Sequence, residues 1–367
     1  MTSKTLALHS IHENLNASFT EKFGSIIPNV YSSVSKEYRA CNQGVGIFDR
    51  SFWGKLRISG KDSVDLLNRL STNDLTSLLP GMVTSTVFTN EQGRIVDLVS
   101  VLRYDEFLLV VTSPQKGGEL SRWIDKFTFT EDLRVEDVSD SIGIITLIGP
   151  KTDRLLERAF GDAFHRVDSD RYALLTSTDV ADRVFIASAL EVGNIGVNIL
   201  AENGLLSSIW NRLLEEENQF NALPIGWQAF NALRIEKGIP LPVSELREEI
   251  NPLEANLGDA VSFTKGCYIG QEVIARLDTY KKVQKHLCRV DLEGPLDWSH
   301  EAKAELFIQN ERIGWITSLA VSPESTKPIG LAYIHSRFVQ PGREVMVKAN
   351  GGEVIAHLTE LRQNHGR

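Results

Sequence analysis

The stretch Lys265-Gly266-Cys267-Tyr268-Ile269-Gly270-Gln271-Glu272 sets a thiol between two glycines, beside an ammonium, an aromatic ring, an amide and a carboxylate. Glycines at 266 and 270 allow close backbone approach or a positive φ, which a β-carbon resists. Lys265 lies two residues from the sulfur, and an ammonium folded back toward a thiol lowers its pKa from a free value of about 8.5. Two readings follow. Cys267 is a small cysteine on a tight turn, or it is a reactive thiol surrounded by Lys265, Tyr268, Gln271 and Glu272.

The chain around this stretch has 367 residues, 42% hydrophobic and 24% charged, which is ordinary globular usage and predicts two or three domains. No run approaches the roughly 18 apolar residues of a membrane span, and the N-terminus lacks signal-peptide and transit patterns. A cytoplasmic protein beginning near Met1 is expected, with no membrane partner. Cys41, Cys267 and Cys288 are too few and too irregularly spaced for a disulfide framework or a zinc site, which fits a reducing compartment. The net charge of -9 argues against bulk nucleic-acid binding. The local run Lys281, Lys282, Lys285, His286 and Arg289 is either a solvated face or a seat for an anionic tail.

Periodicity gives the rest of the fold class, α+β with a C-terminal all-β domain. Leu56 and Ile58 alternate on a strand. A glycine turn follows, with the capping candidates Asp62 and Ser63, and Val64, Leu67 and Leu70 then keep helical spacing over 63–70. Strands are expected over 83–89, 94–104 and 107–112 as an antiparallel meander, turned at Asn90-Glu91-Gln92-Gly93. A helix follows at Leu120, Trp123, Ile124 and Phe127. The strand 144–148 passes through Gly149-Pro150 into a helix over 152–160, echoing the earlier strand, glycine and helix. Strands over 183–201 surround Gly193 and Gly196, with helices over 205–214 and 226–237. From about 283 the pattern becomes short β runs, with Asn350-Gly351 as a hairpin signal. The expected division is an α+β region over 1–282 and a β-barrel over 283–367.

Asp97 is a carboxylate within the apolar strand Ile95-Val96-Asp97-Leu98-Val99, so it either faces outward or is functional, since buried acids are rare unless paired. Arg94 lies in the preceding turn. Arg234 closes a helix, where the dipole favours a cation. Glu245, Glu248, Glu249 and Glu254 follow around Asn251 and Pro252. No phosphate loop, HExxH, CxxC or histidine cluster occurs, so no metal site is expected, and no nucleophile elbow supports a serine triad.

Taken together these segments resemble the folate-binding GcvT-like superfamily and, within it, the YgfZ group that assists iron-sulfur cluster assembly. KGCYIGQE (265–272) carries that likeness, with GIFDRSFWGKLRISG (46–60), LSTNDLTSLLPG (70–81), NEQGRIVD (90–97), LRIEKGIP (233–240) and INPLEANL (250–257). The resemblance implies three domains in a ring, the first two interleaved with boundaries near 51, 137 and 225, and a folate in the central channel. It implies tetrahydrofolate or a folate derivative as cofactor, and folate and iron-sulfur assembly proteins as partners. The implied catalytic residues are Cys267, Asp97 and Lys265. The implied cofactor contacts are Asp97, Arg234, Asn194, Tyr268, Gln271 and Glu272, with Arg234 meeting an anionic group of the ligand. The alternative within the superfamily is a glycine-cleavage T-protein, a folate-dependent aminomethyltransferase or demethylase. T-proteins carry GE-x-G-x-E, where this chain has Asn194 and Asn198. A carboxylate grips adjacent pterin N–H groups more strongly than an amide does.

Overall fold

The structure, a computed structural model, describes residues 3–161, 184–189, 196–296, 304–350 and 352–361. These divide into two compact units, one of Met1–Phe88 with Asp97–Phe230 and one of Thr89–Val96 with Asn231–Arg367. The division at 230/231 lies within a helix and upstream of the barrel, and it assigns the hairpin tip 89–96 to the second unit.

In chain order the first unit holds β1 (Lys4–Thr5), α1 (His9–Asn14), β2 (Ser18–Lys22), β3 (Ser25–Val30), α2 (Val34–Gln43), β4 (Val45–Asp49), β5 (Gly54–Ser59), α3 (Ser63–Leu70) and β6 (Val83–Thr89). It continues with β7 (Ile95–Arg103), β8 (Phe107–Thr112), α4 (Gly117–Lys126), β9 (Arg134–Asp137), β10 (Ile142–Ile148), α5 (Thr152–Phe160), β11 (Val184–Ser188) and β12 (Gly196–Glu202). It ends with α6 (Asn203–Leu214), α7 (Glu217–Phe220), β13 (Ala222–Pro224) and the start of α8 (Trp227–Lys237). Two five-stranded sheets result, in the orders β6-β7-β8-β5-β9 and β11-β12-β10-β4-β13. The meander expected over 83–112 is three neighbouring strands of the first. The opening segment, read only as an arm or short helices, also forms a small sheet, β1-β3-β2.

Both five-stranded sheets feed a helix through a glycine with positive φ: Gly60 (+109°) between β5 and α3, and Gly149 (+142°) between β10 and α5. A β-carbon would lie 2.2 Å from the Asp132 carbonyl oxygen at Gly60 and 2.3 Å from the Gly44 carbonyl oxygen at Gly149, so glycine is required at both. Leu67 and Leu70 bury the inner face of α3 as the spacing predicts, but the third inward residue is Leu66, and Val64 is only partly buried. Asp62 does stand at its N-cap, yet its carboxylate accepts from Asp132 N–H at 2.8 Å instead of capping the helix. The second sheet packs Ile145, Leu147, Val197 and Ile199 against Leu206, Ile209 and Trp210 of α6 in one apolar core.

In the second unit α9 (Gln271–Thr279) precedes β14 (Lys285–Leu292), β15 (Glu305–Ile308), β16 (Glu311–Val321), β17 (Pro328–His335), β18 (Glu344–Ala349) and β19 (Gly352–Glu360). These six strands close into a barrel in the order β14-β17-β16-β15-β18-β19, which leaves no open sheet edge. Asn350, in the connection between β18 and β19, takes φ +45° and the pair Ala349↔Gly352 closes the hairpin. Among the described residues no helix is long and apolar enough to cross a membrane.

Candidate functional site

Asp97 faces inward, not outward: it is 3% exposed in the middle of the first sheet. Ser113, just past the end of β8, holds it with two hydrogen bonds. The backbone N–H donates to Oδ2 at 3.0 Å and the hydroxyl donates to Oδ1. Burial pushes the carboxyl up from 3.8 to about 7, against the pull of both Ser113 bonds and the Lys116 ammonium. A group that titrates near neutrality in an apolar wall can take or give a proton at working pH. Nothing in the sequence marks Ser113, because its role arises from the pairing of β7 with β8.

The second sheet buries Arg50. Its guanidinium donates from Nη1 to Thr146 Oγ1 and to Asn198 Oδ1, each at 3.3 Å, and lies 4.2 Å over the Trp53 ring. Thr146 also donates to Asn198 Oδ1 at 2.8 Å. Asn198 is therefore engaged inside the protein. Asn194 and Gly193 lie outside the described residues.

The first unit also holds a cavity of about 580 Å³, lined among others by Phe23, Phe52, Trp53, Gln115, Gly117 and Asp137. Its rings extend a closed cycle of aromatic contacts running Phe23, Phe52, Phe48, Phe230, Trp227 and back to Phe23, with centroids 4.6–6.3 Å apart. Lys55 is fully buried and donates from Nζ to the Ser51 carbonyl at 2.8 Å; burial pulls its ammonium down to about 7. The sequence reading missed the cavity and Lys55 alike, since GKLRIS reads as an ordinary amphipathic strand.

The motif 265–272 belongs to the second unit. Cys267 is exposed, whereas Cys41 and Cys288 are buried and all three are free thiols; burial holds Cys41 up at about 12. The Lys265 ammonium sits 5.3 Å over the Tyr268 ring. Tyr268 packs with Val261 and Ile274, and burial lifts its phenol to about 12. Gln271 opens α9, and Glu272 pairs with Arg276 one turn on at 2.7 Å on the exposed side. Gly270 has φ +82°, and a β-carbon there would lie 2.5 Å from the Asn90 carbonyl oxygen. Thr89 Oγ1 donates to the Ile269 carbonyl at 2.6 Å, and Ile95 N–H to the Ile250 carbonyl at 2.9 Å. The tip of the NEQGR hairpin and the cysteine motif thus form one packed structure.

Arg234, which the resemblance implied as a ligand contact, is engaged within the second unit. It is buried, donating to Asn231 Oδ1 at 2.9 Å, to Glu245 Oε2 at 3.0 Å, to Ser318 Oγ at 2.6 Å and to the Ile239 carbonyl at 3.3 Å. Glu245 also accepts from Ser318 Oγ–H at 2.6 Å and Leu241 N–H at 2.9 Å. A register shift in β16 between Ile316 and Ser318 brings the serine to this pair. Arg94 likewise serves the protein, bridging the Glu249 carbonyl at 3.0 Å and Glu254 at 3.3 Å. The basic run is largely paired too: Lys281 with Asp278, Lys285 with Glu254 and Arg289 with Asp291.

The chain is similar to proteins named aminomethyltransferase. It is 28% identical to that of Caldanaerobacter subterraneus subsp. tengcongensis over 349 residues, covering 94% of this chain and 91% of the relative. It is 29% identical to that of Chlorobium phaeovibrioides over 357 residues, covering 95% of each. The crystal structure of glycine cleavage system aminomethyltransferase T from Bartonella henselae superposes with a TM-score of 0.85 over 99% of both chains at 21% identity, a likeness of fold. The family model described as GCVT N-terminal domain matches residues 8–265, and that of the glycine cleavage T-protein C-terminal barrel domain matches 285–362. With its two five-stranded sheets and closed six-stranded barrel, this chain belongs to the GcvT family.

Proposed function

We propose that this protein binds tetrahydrofolate and transfers a one-carbon unit between the folate and an amine, with Asp97 as the acid-base group. The observation that carries this reading is a buried carboxyl, fixed by Ser113, that titrates near neutrality. Similarity to proteins named aminomethyltransferase supports it. When bound, tetrahydrofolate supplies the nitrogen that carries the one-carbon unit. The donor set suits such a ring in part. A carboxylate has about four lone-pair sites; Ser113 uses two and the Leu98 N–H a third, so one acceptor site of Asp97 is left for an N–H of a flat heterocycle. Arg234 and Asn198 do not fit, because their polar atoms are held within the protein. In this reading Asp97 keeps the proton in a dry wall until an amine nitrogen takes it, and Ser113 holds the carboxyl in register.

The test is turnover of tetrahydrofolate with an aminomethyl donor by the full chain. Asp97→Asn should abolish transfer and retain the fold. A wild-type protein that neither binds folate nor turns over a donor overturns the reading.

The exposure of Cys267 supports a second reading, an accessory protein for iron-sulfur cluster assembly or repair. One thiolate cannot complete a cluster that takes four, so partner ligands would have to join it. Cells lacking such a protein should regain iron-sulfur enzyme activity with the wild type and not with Cys267→Ala. Equal rescue removes this reading.

A further inference from the structure

The strand that carries Asp97 changes partners close to that residue. β7 pairs with β8 from Arg103↔Leu108 to Ser100↔Val111, so Asp97 lies three residues beyond this last rung. Ser113 reaches it there through bonds to the carboxylate. Two residues further back, Ile95 N–H donates to the Ile250 carbonyl at 2.9 Å. Side chains alternate between the faces of a strand, so a slip of one residue would turn Asp97 out of the buried wall. This end of β7 therefore needs a hold of its own.

The segment 250–257 supplies one. Glu254 is 2% exposed, and its Oε2 accepts from Asn251 N–H at 3.1 Å and from Arg94 Nη1 at 3.3 Å. Its Oε1 lies 3.5 Å from the Lys285 ammonium. Asn251 Oδ1 closes the turn by accepting from the N–H groups of Leu253 and Glu254, each at 3.0 Å. The Glu254 carbonyl accepts from Leu287 N–H of β14 at 3.0 Å, which ties the turn to the barrel. A carboxylate buried this deeply is costly unless it is paired, and Arg94 and Lys285 provide the pairing. Arg94 directly precedes β7. Its Nη1 also donates to the Glu249 carbonyl at 3.0 Å, and its N–H donates to Asn90 Oδ1 at 3.0 Å across the hairpin tip. The residue that opens the strand is thus gripped by both backbone and side chain.

We infer that Arg94 and Glu254 are positioning residues for the proposed reaction: their ion pair fixes the start of β7 and, through that strand, aims the Asp97 carboxylate. The catalytic consequence rests on the acid-base reading of Asp97, whereas the positioning is a property of the folded chain. The groups facing Asp97 are Ser113, the Leu98 N–H and, through its charge, Lys116. A strand end set free would let water reach the carboxyl, and burial is the largest cause of its high proton affinity.

The test follows Asp97 itself, in full-length protein labelled with carbon-13 at the aspartate carboxyls, with the signal assigned by its loss in Asp97→Asn. Arg94→Ala should lower the midpoint of the Asp97 titration by about one pH unit, because water would replace part of the dry wall. Glu254→Gln, which keeps an acceptor for Asn251 N–H and removes the charge, should move it in the same direction by less. Arg94→Lys, which returns a cation to Glu254, should recover most of the wild-type value. Ser318→Ala, which loosens the Arg234–Glu245 pair elsewhere in the second unit, should lower thermal stability and leave the midpoint in place. In transfer assays Arg94→Ala should lower kcat about tenfold or more and change KM for folate by less than about threefold, the mark of misalignment. A midpoint unmoved in Arg94→Ala overturns the inference, as does an equal shift in Ser318→Ala. A wild type without turnover removes the folate reading alone, since the midpoint decides the positioning by itself.

Discussion

Replacing Asp97 by asparagine tests the electrostatics of the first sheet directly. The folded carboxyl titrates at about 7 against an ordinary 3.8, because burial opposes its charge more than Ser113 and Lys116 support it. The folded state therefore holds the proton more tightly than the unfolded chain. The stability this confers is complete below about pH 3.8 and is lost as pH rises through 7. A shift of that size corresponds to about 4 kcal/mol, of which roughly 2–3 kcal/mol falls between about pH 5 and 8. Asparagine has no charge to bury. Its oxygen can still accept from Ser113 N–H, and its amide can donate to the Ser113 hydroxyl. Urea unfolding at both pH values should show the variant gaining roughly 2–3 kcal/mol on the wild type as pH rises, or about 5–10 °C in Tm for a unit of this size. A difference between the two proteins that does not change with pH would refute the argument, as it would mean Asp97 is ionised at low cost and is no proton donor near neutrality.

Other substitutions probe the second unit. Arg234→Ala should lower the unfolding free energy by about 3–5 kcal/mol, because Glu245 would be left charged and buried, and chemical denaturation would show it. In the native protein iodoacetamide should label Cys267 alone by mass spectrometry, with Cys41 and Cys288 reacting only in denaturant; equal labelling of all three would contradict their burial. Gly270→Ala forces a β-carbon toward the Asn90 carbonyl at φ +82° and should cost about 1–3 kcal/mol. Hydrogen exchange should quicken in 89–96 and α9 and remain unchanged in the barrel.

The architecture was legible because its strands and helices carry their own period. Leu67 and Leu70 sit at helical spacing and are buried, with Leu66 in the place expected of Val64, and the barrel runs are short, β-branched and separated by turns, so local pattern and tertiary burial largely agree. The site was legible only where one residue conflicts with its surroundings. Asp97 stands out as an acid among Ile95, Val96, Leu98 and Val99, and Cys267 as a thiol between glycines. Ser113, Lys55 and Phe23 do not stand out, since each acts through a contact made by distant chain. Ser113 meets Asp97 across the pairing of β7 and β8, and Phe23 joins its aromatic neighbours only when the hairpin turns through two left-handed residues. The partners of Arg234 were hidden for the same reason. A cation ending a helix looks available until β16 shifts register and delivers Ser318 to the Glu245 pair.

These internal partners bear on ligand recognition. Arg234 would have supplied fixed positive charge, yet it is neutralised by Glu245, and Arg94 and Lys285 are spent on Glu254. In the first unit Arg50 is covered by Trp53 and bonded to Thr146 and Asn198. The features with chemistry left to offer are then a buried carboxyl poised near neutrality and an exposed thiol. Each favours a ligand rich in N–H donors or positive charge over an anion. Under the proposed reading a folate would enter by its pterin, with Asp97 as an acceptor, and its carboxylate tail would find no arginine among these to receive it. Extending that tail with further glutamates should therefore change affinity by less than tenfold, and a gain above a hundredfold would mean that a basic seat exists beyond the residues named above.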